Sequence, residues 1–467
     1  MYTRRRFLRN STYASAYLGV SACSPDQRDT GRPIAELLNE ITKERPTQNS
    51  SVMNLMVPPI PKVRIGLIGC GSRGLGLLYQ FNALCPEMAS IVALCDVREP
   101  RIQICMNYLQ AHGNERPETY TGSLNAWKKM TERDDIDLVI VATPWEDHVP
   151  MSVHAMQQGK HVGVEVPAAY TLEGCWALVD TAEETQRNCI MLENVCYGDE
   201  ELWLLNMAQA GVLGTLNYAE AAYIHDLREG LFRKDSYNNW RLQHHVERDG
   251  NLYPTHGLGP VAQYLDIQRG DTFAYLVSMG SPQNALSEYA RTLDTDNPFY
   301  GKTDFAHGDI NNSLIKTHKG RSILLQHDVV TPRPYDRKNV LSGTKGYHEG
   351  YPSRLSLNGE GHHFLDEQNY TALRDTYRHP IWNELQERIA RHKGGHGGMD
   401  FVMAYRVISC FNQGIPQDMD IYDGVAWSVV GPLSRISVEN GSIPVPFPDF
   451  TRGKWKRNRK LGITQAS

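Results

Sequence analysis

The nine cysteines of this 467-residue chain never stand in a CxxC pair. Zinc ribbons, redox dithiols and dense disulfide frameworks, which need such spacings, are therefore excluded. Apart from Cys23, the thiols are scattered at Cys70, Cys85, Cys95, Cys105, Cys175, Cys189, Cys196 and Cys410, and read as small buried apolar side chains. No run reaches the ~20 apolar residues of a spanning helix, and no repeat of solenoid length is evident. The net charge is only -5, with 22% charged residues, so no basic surface for nucleic acid is expected. What remains is a 41% hydrophobic chain, long enough for two domains that each bury a sizeable core.

The first residues, MYTRRRFLRNSTYASAYLGVSACS, differ from the rest. An arginine cluster precedes a short, weakly apolar stretch, the outline of an export signal. Thr3 to Leu8 resembles the twin-arginine signature, and Val20-Ser21-Ala22-Cys23 resembles the box at which bacterial lipoproteins are cleaved and lipidated. The expectation is a protein exported after folding, periplasmic or held to a membrane only through a lipid on Cys23. Residues 24–61 are charged and Pro- and Ser-rich, with one amphipathic stretch at IAELLNEI, and are expected to be a tether with a short helix.

From Val63 the pattern becomes VRIGLIGCGSRGLGLLYQF: an apolar strand, a glycine turn and a helix. Gly69, Gly71 and Gly74 fit G-x-G-x-x-G in the one context that makes the motif informative, between a strand and a helix whose N-terminus can face a pyrophosphate. Asp96 ends the next β run, SIVALCDV, where an acid accepts hydrogen bonds from the adenosine ribose and disfavours a 2′-phosphate, so NAD is expected. Further β runs, DLVIVATP and KHVGVEVP, complete the alternation of a Rossmann-type, doubly wound parallel sheet over residues 62–188. Trp145 and His148 follow one of these runs, and Glu165-Val166-Pro167 the other. After residue 188 come β-rich stretches such as LNYAEAAYIHD, FAYLVSMGS and RSILLQHDVV. They predict an α+β domain with an open, mainly antiparallel sheet over residues 189–467, ending in an irregular basic arm. The class is thus α/β followed by α+β.

The second domain concentrates Tyr, His and Arg in short segments: Tyr223 to Arg228, Trp240-Arg241, Tyr253-Pro254-Thr255-His256, Pro332 to Tyr335 and Gly394 to Asp400. Rings and forked donors suit the stacking and hydroxyl recognition of a sugar. The pair His392 and His396 lacks the companions of a metal site and reads as part of a glycine-rich turn.

The order of these strand-end segments resembles the glucose-fructose oxidoreductase family of NAD(P)-dependent sugar dehydrogenases. In that family Glu-Lys-Pro usually stands at Glu165-Val166-Pro167, and its lysine assists proton transfer near the nicotinamide. Val166 can neither give nor take a proton. More specifically, VRIGLIGCGSRG, AAYIHDLR, NLYPTHGLGPVAQYLDIQRGD, TPRPYDR and GGHGGMDFVMAYR, in this order over roughly residues 60 to 455, resemble glycoside hydrolase family 109, NAD-dependent α-N-acetylgalactosaminidases. The resemblance implies NAD contacts at Ser72, Arg73, Asp96, Trp145 to His148, Glu165, Val166 and Asn194. It implies sugar contacts at Tyr223, Arg241, Tyr253, Pro254, Thr255, His256 and Tyr335. It also implies hydrolysis of a terminal α-linked N-acetylgalactosamine through oxidation at C3, elimination across C1 and C2, addition of water and re-reduction, with no net redox change.

Such a route needs two groups that move protons near neutrality, which suits a Tyr and a His on one loop. Tyr253 and His256 are expected to divide these tasks, in either order, with Tyr335 in support. The alternatives are a sugar oxidoreductase that releases an oxidised product, and a non-catalytic sugar-binding lipoprotein. A homodimer through the antiparallel sheet is expected by analogy with related folds.

Overall fold

The computed structural model describes residues 33–113, 116–233, 239–392 and 395–465. The arginine cluster, the cysteine box and residues 24–32 of the expected tether lie outside the described residues. The chain divides into two compact units at Glu40, and the amphipathic helix appears at Ile34–Ile41. From Ile41 onwards everything belongs to the larger unit. Residues 41–61 are therefore not a free tether. Val52 is buried and its N–H donates to Tyr422 Oη at 3.3 Å, while the Ile60 N–H donates to Phe411 O at 2.9 Å. No described helix is long and apolar enough to cross a membrane.

The first sheet comprises β1 (Val63–Ile68), β2 (Ala89–Cys95), β3 (Glu118–Tyr120), β4 (Leu138–Val141), β5 (His161–Val164) and β6 (Cys189–Met191). All neighbours pair in parallel, in the order β3-β2-β1-β4-β5-β6. This is the doubly wound order whose ligand crevice opens at the carboxyl ends of the central strands. The central strands read as near-continuous apolar runs because helices cover both faces; β4 and β5 are buried at every position. β3, with sequence ETY, has no such run, and the run of β6 is only three residues long. Because β6 spans Cys189–Met191, the parallel sheet extends past residue 188.

The second sheet has eight strands: β7 (Leu216–Ile224), β8 (Phe273–Gly280), β9 (Asn311–Thr317), β10 (Ser322–Asp328), β11 (Val340–Gly343), β12 (Gly346–Glu349), β13 (Arg354–Leu357) and β14 (Val445–Pro446). Their order is β13-β12-β11-β7-β10-β9-β8-β14. Every pairing is antiparallel except β7 with β10, whose register sets Tyr223 beside His327. The basic arm is more ordered than its composition suggests. It contributes edge strand β14, and Arg452 then donates to Asp180 and to Glu183, each at 2.6 Å, fastening the arm to the first domain.

Two later helices also return to the parallel sheet: Met399–Gln413 packs on Ser72–Asn82, and Ile421–Ser428 packs on Leu172–Thr185. The second of these is fixed by an Asp420/Asp423 capping box, and Asp423 also receives both terminal nitrogens of buried Arg269 at 2.6 and 2.7 Å.

Between the sheets runs the helix Thr255–Tyr264 of the THGLGP segment. Its glycines are explained by proximity. A Cβ on Gly257 would lie 2.5 Å from the Ala222 nitrogen of β7, and one on Gly259 would lie 3.0 Å from Cys196 Sγ and 3.1 Å from Glu193 Cγ. The helix thus touches β7 on one side and the turn after β6 on the other. Gly257→Ala must move backbone against backbone, so despite alanine's better helix propensity it is expected to cost about 1–3 kcal/mol. A denaturant melt measures this; an unchanged midpoint would mean that the contact is slack.

Candidate active site

The glycine loop has the form its motif requires. Gly69 lies at φ +92° and a Cβ there would meet Ala142 O at 2.5 Å, while one on Gly74 would fall 1.8 Å from Gly69 O. Gly71, at the N-terminus of helix Ser72–Asn82, is different: a Cβ there would meet only Arg98 Nη2, at 3.8 Å. The open space in front of a helix N-terminus is what a dinucleotide pyrophosphate needs. Asp96 is buried at the end of β2. One of its oxygens accepts the Cys70 N–H at 2.8 Å and the other accepts the Arg98 N–H at 2.8 Å, so the carboxylate is held beside the loop.

At the other end of the crevice Arg73 joins three elements. Its Nε donates to Glu165 Oε1 at 2.6 Å and its Nη1 donates to Asp400 Oδ1 at 3.0 Å. Asn194 Nδ2 also donates to Asp400 Oδ1, at 2.8 Å, and His396 Nδ1 lies 2.8 Å from Asp400 Oδ2. Asn194 Oδ1 is buried without a partner, an acceptor suited to a donor on a bound cofactor. Glu165, Arg73 and Asn194 are sequence-predicted; Asp400 and His396 are not. Their segment, Gly395–Gly398 leading into Met399–Gln413, is the expected turn, with His396 itself at φ +66°. The sequence offered Asp400 only as the end of the Gly394 to Asp400 segment, with no role assigned to it.

His148 and Thr255 are both enclosed by the protein. The His148 ring is buried with Nδ1 2.8 Å from Pro167 O and Nε2 2.9 Å from Thr143 O, so it braces the loops after β4 and β5. Burial lowers its pKa, and the neutral ring satisfies one of the two carbonyls. Thr255 is fully buried, its hydroxyl unpartnered. Pro254 is buried too, as the N-cap of the helix that carries His256. Val166 is buried beside Glu165, whose Oε2 accepts the Val166 N–H at 3.2 Å.

The remaining candidates converge. His256 Nδ1 is 2.6 Å from Glu193 Oε1, and its Nε2 is 3.5 Å from the Tyr253 hydroxyl. Glu193 is fully buried and follows β6 by two residues; nothing in the sequence marked it beyond its place before Asn194. The Tyr253 ring stacks on Trp145, with centroids 6.0 Å apart, and tilts against Tyr223 at 4.6 Å. The Arg241 guanidinium lies 5.1 Å from the Tyr253 ring centroid and 5.5 Å from that of Trp145, and its buried Nε lacks a partner. Burial pushes the Tyr253 phenol well above its usual value, against the pull of Arg241. Tyr335 stands at the rim, 38% exposed, its hydroxyl accepting from Arg337 Nη1 at 2.9 Å. Among the described residues no group of three His, Cys, Asp or Glu is placed to hold a metal ion.

Burial alone would raise the Asp400 carboxyl, but Arg73 and His396 outweigh it and hold the pKa at about 2. A pKa below the unfolded value means that this stabilisation is complete above about pH 4 and is lost as the pH falls towards 2. Asp400→Asn is expected to lower the melting temperature at pH 6 and to flatten its fall between pH 4 and 2. The variant should also retain less NAD after gel filtration, measured in the denatured supernatant. A melting profile parallel to that of the wild type across this range would contradict the assignment.

Comparison with known proteins agrees with this geometry. Residues 63–193 match the family model of the oxidoreductase family, NAD-binding Rossmann fold, and residues 197–457 match that of the glycosyl hydrolase 109 C-terminal domain. A glycosyl hydrolase family 109 protein of Shewanella pealeana is 47% identical over 91% of this chain and 93% of its own length. Glycosyl hydrolase family 109 protein 2 of a Shewanella species is 44% identical over 99% of both. Among solved structures, levoglucosan dehydrogenase in complex with NADH and levoglucosan superposes with a TM-score of 0.62 at 16% identity, over 83% of this chain and all of that one. The WlbA dehydrogenase of Bordetella pertussis, in complex with NADH and UDP-GlcNAcA, gives 0.57 at 16%, over 84% and 100%. These likenesses are of fold. With an NAD-binding first domain and a matching second, the chain belongs to glycosyl hydrolase family 109.

Proposed function

We propose that this protein hydrolyses glycosides ending in α-linked N-acetylgalactosamine, with tightly held NAD and no net redox change. The observation that carries the reading is the run Glu193–His256–Tyr253, together with a valine, Val166, rather than a lysine after β5. The groups that move protons sit on the second domain, and the strand end itself supplies none.

Gly69, Gly71, Gly74 and the helix N-terminus would hold the pyrophosphate, Asp96 the adenosine ribose, and Glu165, Asn194 and Trp145 the nicotinamide end. Bound NAD⁺ supplies a reversible hydride acceptor for sugar C3. The chain's own work is with protons and position. Glu193 accepts the Nδ1–H of His256, which leaves the Nε2 lone pair facing the sugar site as the base. Tyr253, kept protonated by burial, is the complementary donor. Arg241 and Trp145 clamp the Tyr253 ring, and Tyr223 and Tyr335 extend the wall that a sugar would lie against. A folded protein that carries its cofactor suits export, which the arginine cluster and Cys23 box favour.

Purified protein with no NAD added is expected to release the chromophore from an aryl α-N-acetylgalactosaminide without accumulating NADH. His256→Ala should abolish release while bound NAD is retained. Glu193→Gln, nearly isosteric, should lower kcat by a factor on the order of 10² with KM little changed. Net NADH formation on a free sugar, without glycoside cleavage, would identify a sugar oxidoreductase instead. Full activity of His256→Ala would remove that residue from the chemistry.

A further inference from the structure

Five aromatic rings form a file that leaves the site: Trp145, Tyr253, Tyr223, Tyr335 and Tyr351. Their successive centroid separations are 6.0, 4.6, 6.4 and 6.0 Å. Exposure rises abruptly along it, from 5, 6 and 7% for the first three to 38 and 39% for Tyr335 and Tyr351. The inner three belong to the closed part of the site. The outer two are large rings presented to solvent at its mouth, and Tyr351 lies beyond every residue so far expected to touch a sugar.

Tyr351 is held, not loose. It occupies the turn between β12 and β13 at φ +60°, a left-handed conformation that a bulky residue adopts only where its surroundings enforce it. The turn is pinned on both sides. The Gly350 N–H donates to Lys338 O at 2.9 Å, and Ser353 Oγ lies 3.1 Å from His348 Nε2 and 2.7 Å from Tyr370 Oη. The Arg337 guanidinium lies 5.4 Å from the Tyr351 ring centroid and 5.5 Å from that of Tyr335, and Nη2 is anchored on Glu201 at 2.6 Å. A charged fork therefore stiffens both rings from beneath, at the cost of a strained backbone. Rigid exposed aromatics with an adjacent guanidinium stack on the apolar faces of sugar rings and hydrogen-bond their hydroxyls.

We infer that Tyr351 and Tyr335, braced from beneath by Arg337, form a subsite for the sugar that follows the terminal hexosaminide, so that the substrate is an oligosaccharide. This rests on the glycosidase reading above. It fixes a property which that reading leaves open, the selection of the leaving group.

The test is the ratio of kcat/KM for N-acetyl-α-galactosaminyl-galactose to that for methyl α-N-acetylgalactosaminide. The wild type is expected to favour the disaccharide by about tenfold or more, the ~1.4 kcal/mol of one well-stacked ring. Tyr351→Ala should collapse that ratio, and Tyr351→Phe should keep it. A merely structural defect would lower both rates and preserve the ratio in Tyr351→Ala; that result, or no preference in the wild type, overturns the subsite. Hydrolysis of neither glycoside by the wild type would overturn the glycosidase reading and the subsite with it, which separates the two failures.

Discussion

The site depends on one ionic junction, the Arg73 guanidinium between Glu165 and Asp400. Arg73 stands two residues after the central glycine of the cofactor loop, Glu165 follows β5 directly, and Asp400 lies in the first turn of a helix that belongs to the second domain by sequence and to the first by packing. A partly buried guanidinium needs both carboxylates: the desolvation of each group is tolerable only with the other in place. The loop that meets the pyrophosphate is consequently fixed by a residue more than 300 positions downstream. Asn194 shares Asp400, which carries the same constraint to the turn after β6 and so to its neighbour Glu193.

From that turn the geometry passes to the reacting groups. Glu193 can reach His256 only because the helix Thr255–Tyr264 lies close to it, and Gly257 and Gly259 remove the side chains that would hold the helix away. The Tyr/His spacing, with its glycine and proline frame, therefore serves two ends. Tyr253, just before the helix, and His256, in its first turn, come within 3.5 Å, and Gly257 lets the helix pack closely on the backbone of β7. The position of the histidine is set by the glycines.

Much of this was legible in the sequence because the signals were local. The strand, glycine turn and helix at Val63–Asn82 and Asp96 at the next strand end each rest on a few adjacent residues, whereas Tyr223, Arg241, Tyr253 and His256 were grouped through the family resemblance. What was not legible was set by distant partners. A buried glutamate and a buried aspartate look like any other acids until His256 and Arg73 are placed against them. His148 lies in a predicted segment, but both its ring nitrogens are engaged by the carbonyls of Pro167 and Thr143. The stretch from Ile41 to Pro61 has the composition of a linker and still packs, because Phe411 and Tyr422 offer hydrogen bonds that no local pattern reveals. Strands β3 and β6 were too short to show an apolar period.

On the proposed route a base on the second domain takes a proton from the sugar while the cofactor is only borrowed. Hydrolysis of an α-N-acetylgalactosaminide in heavy water, with no NAD added, tests it most directly. The account predicts released N-acetylgalactosamine carrying deuterium at C2, because the proton that His256 removes exchanges with solvent before one is returned. Release with only protium at C2 would contradict that account and favour direct displacement at C1.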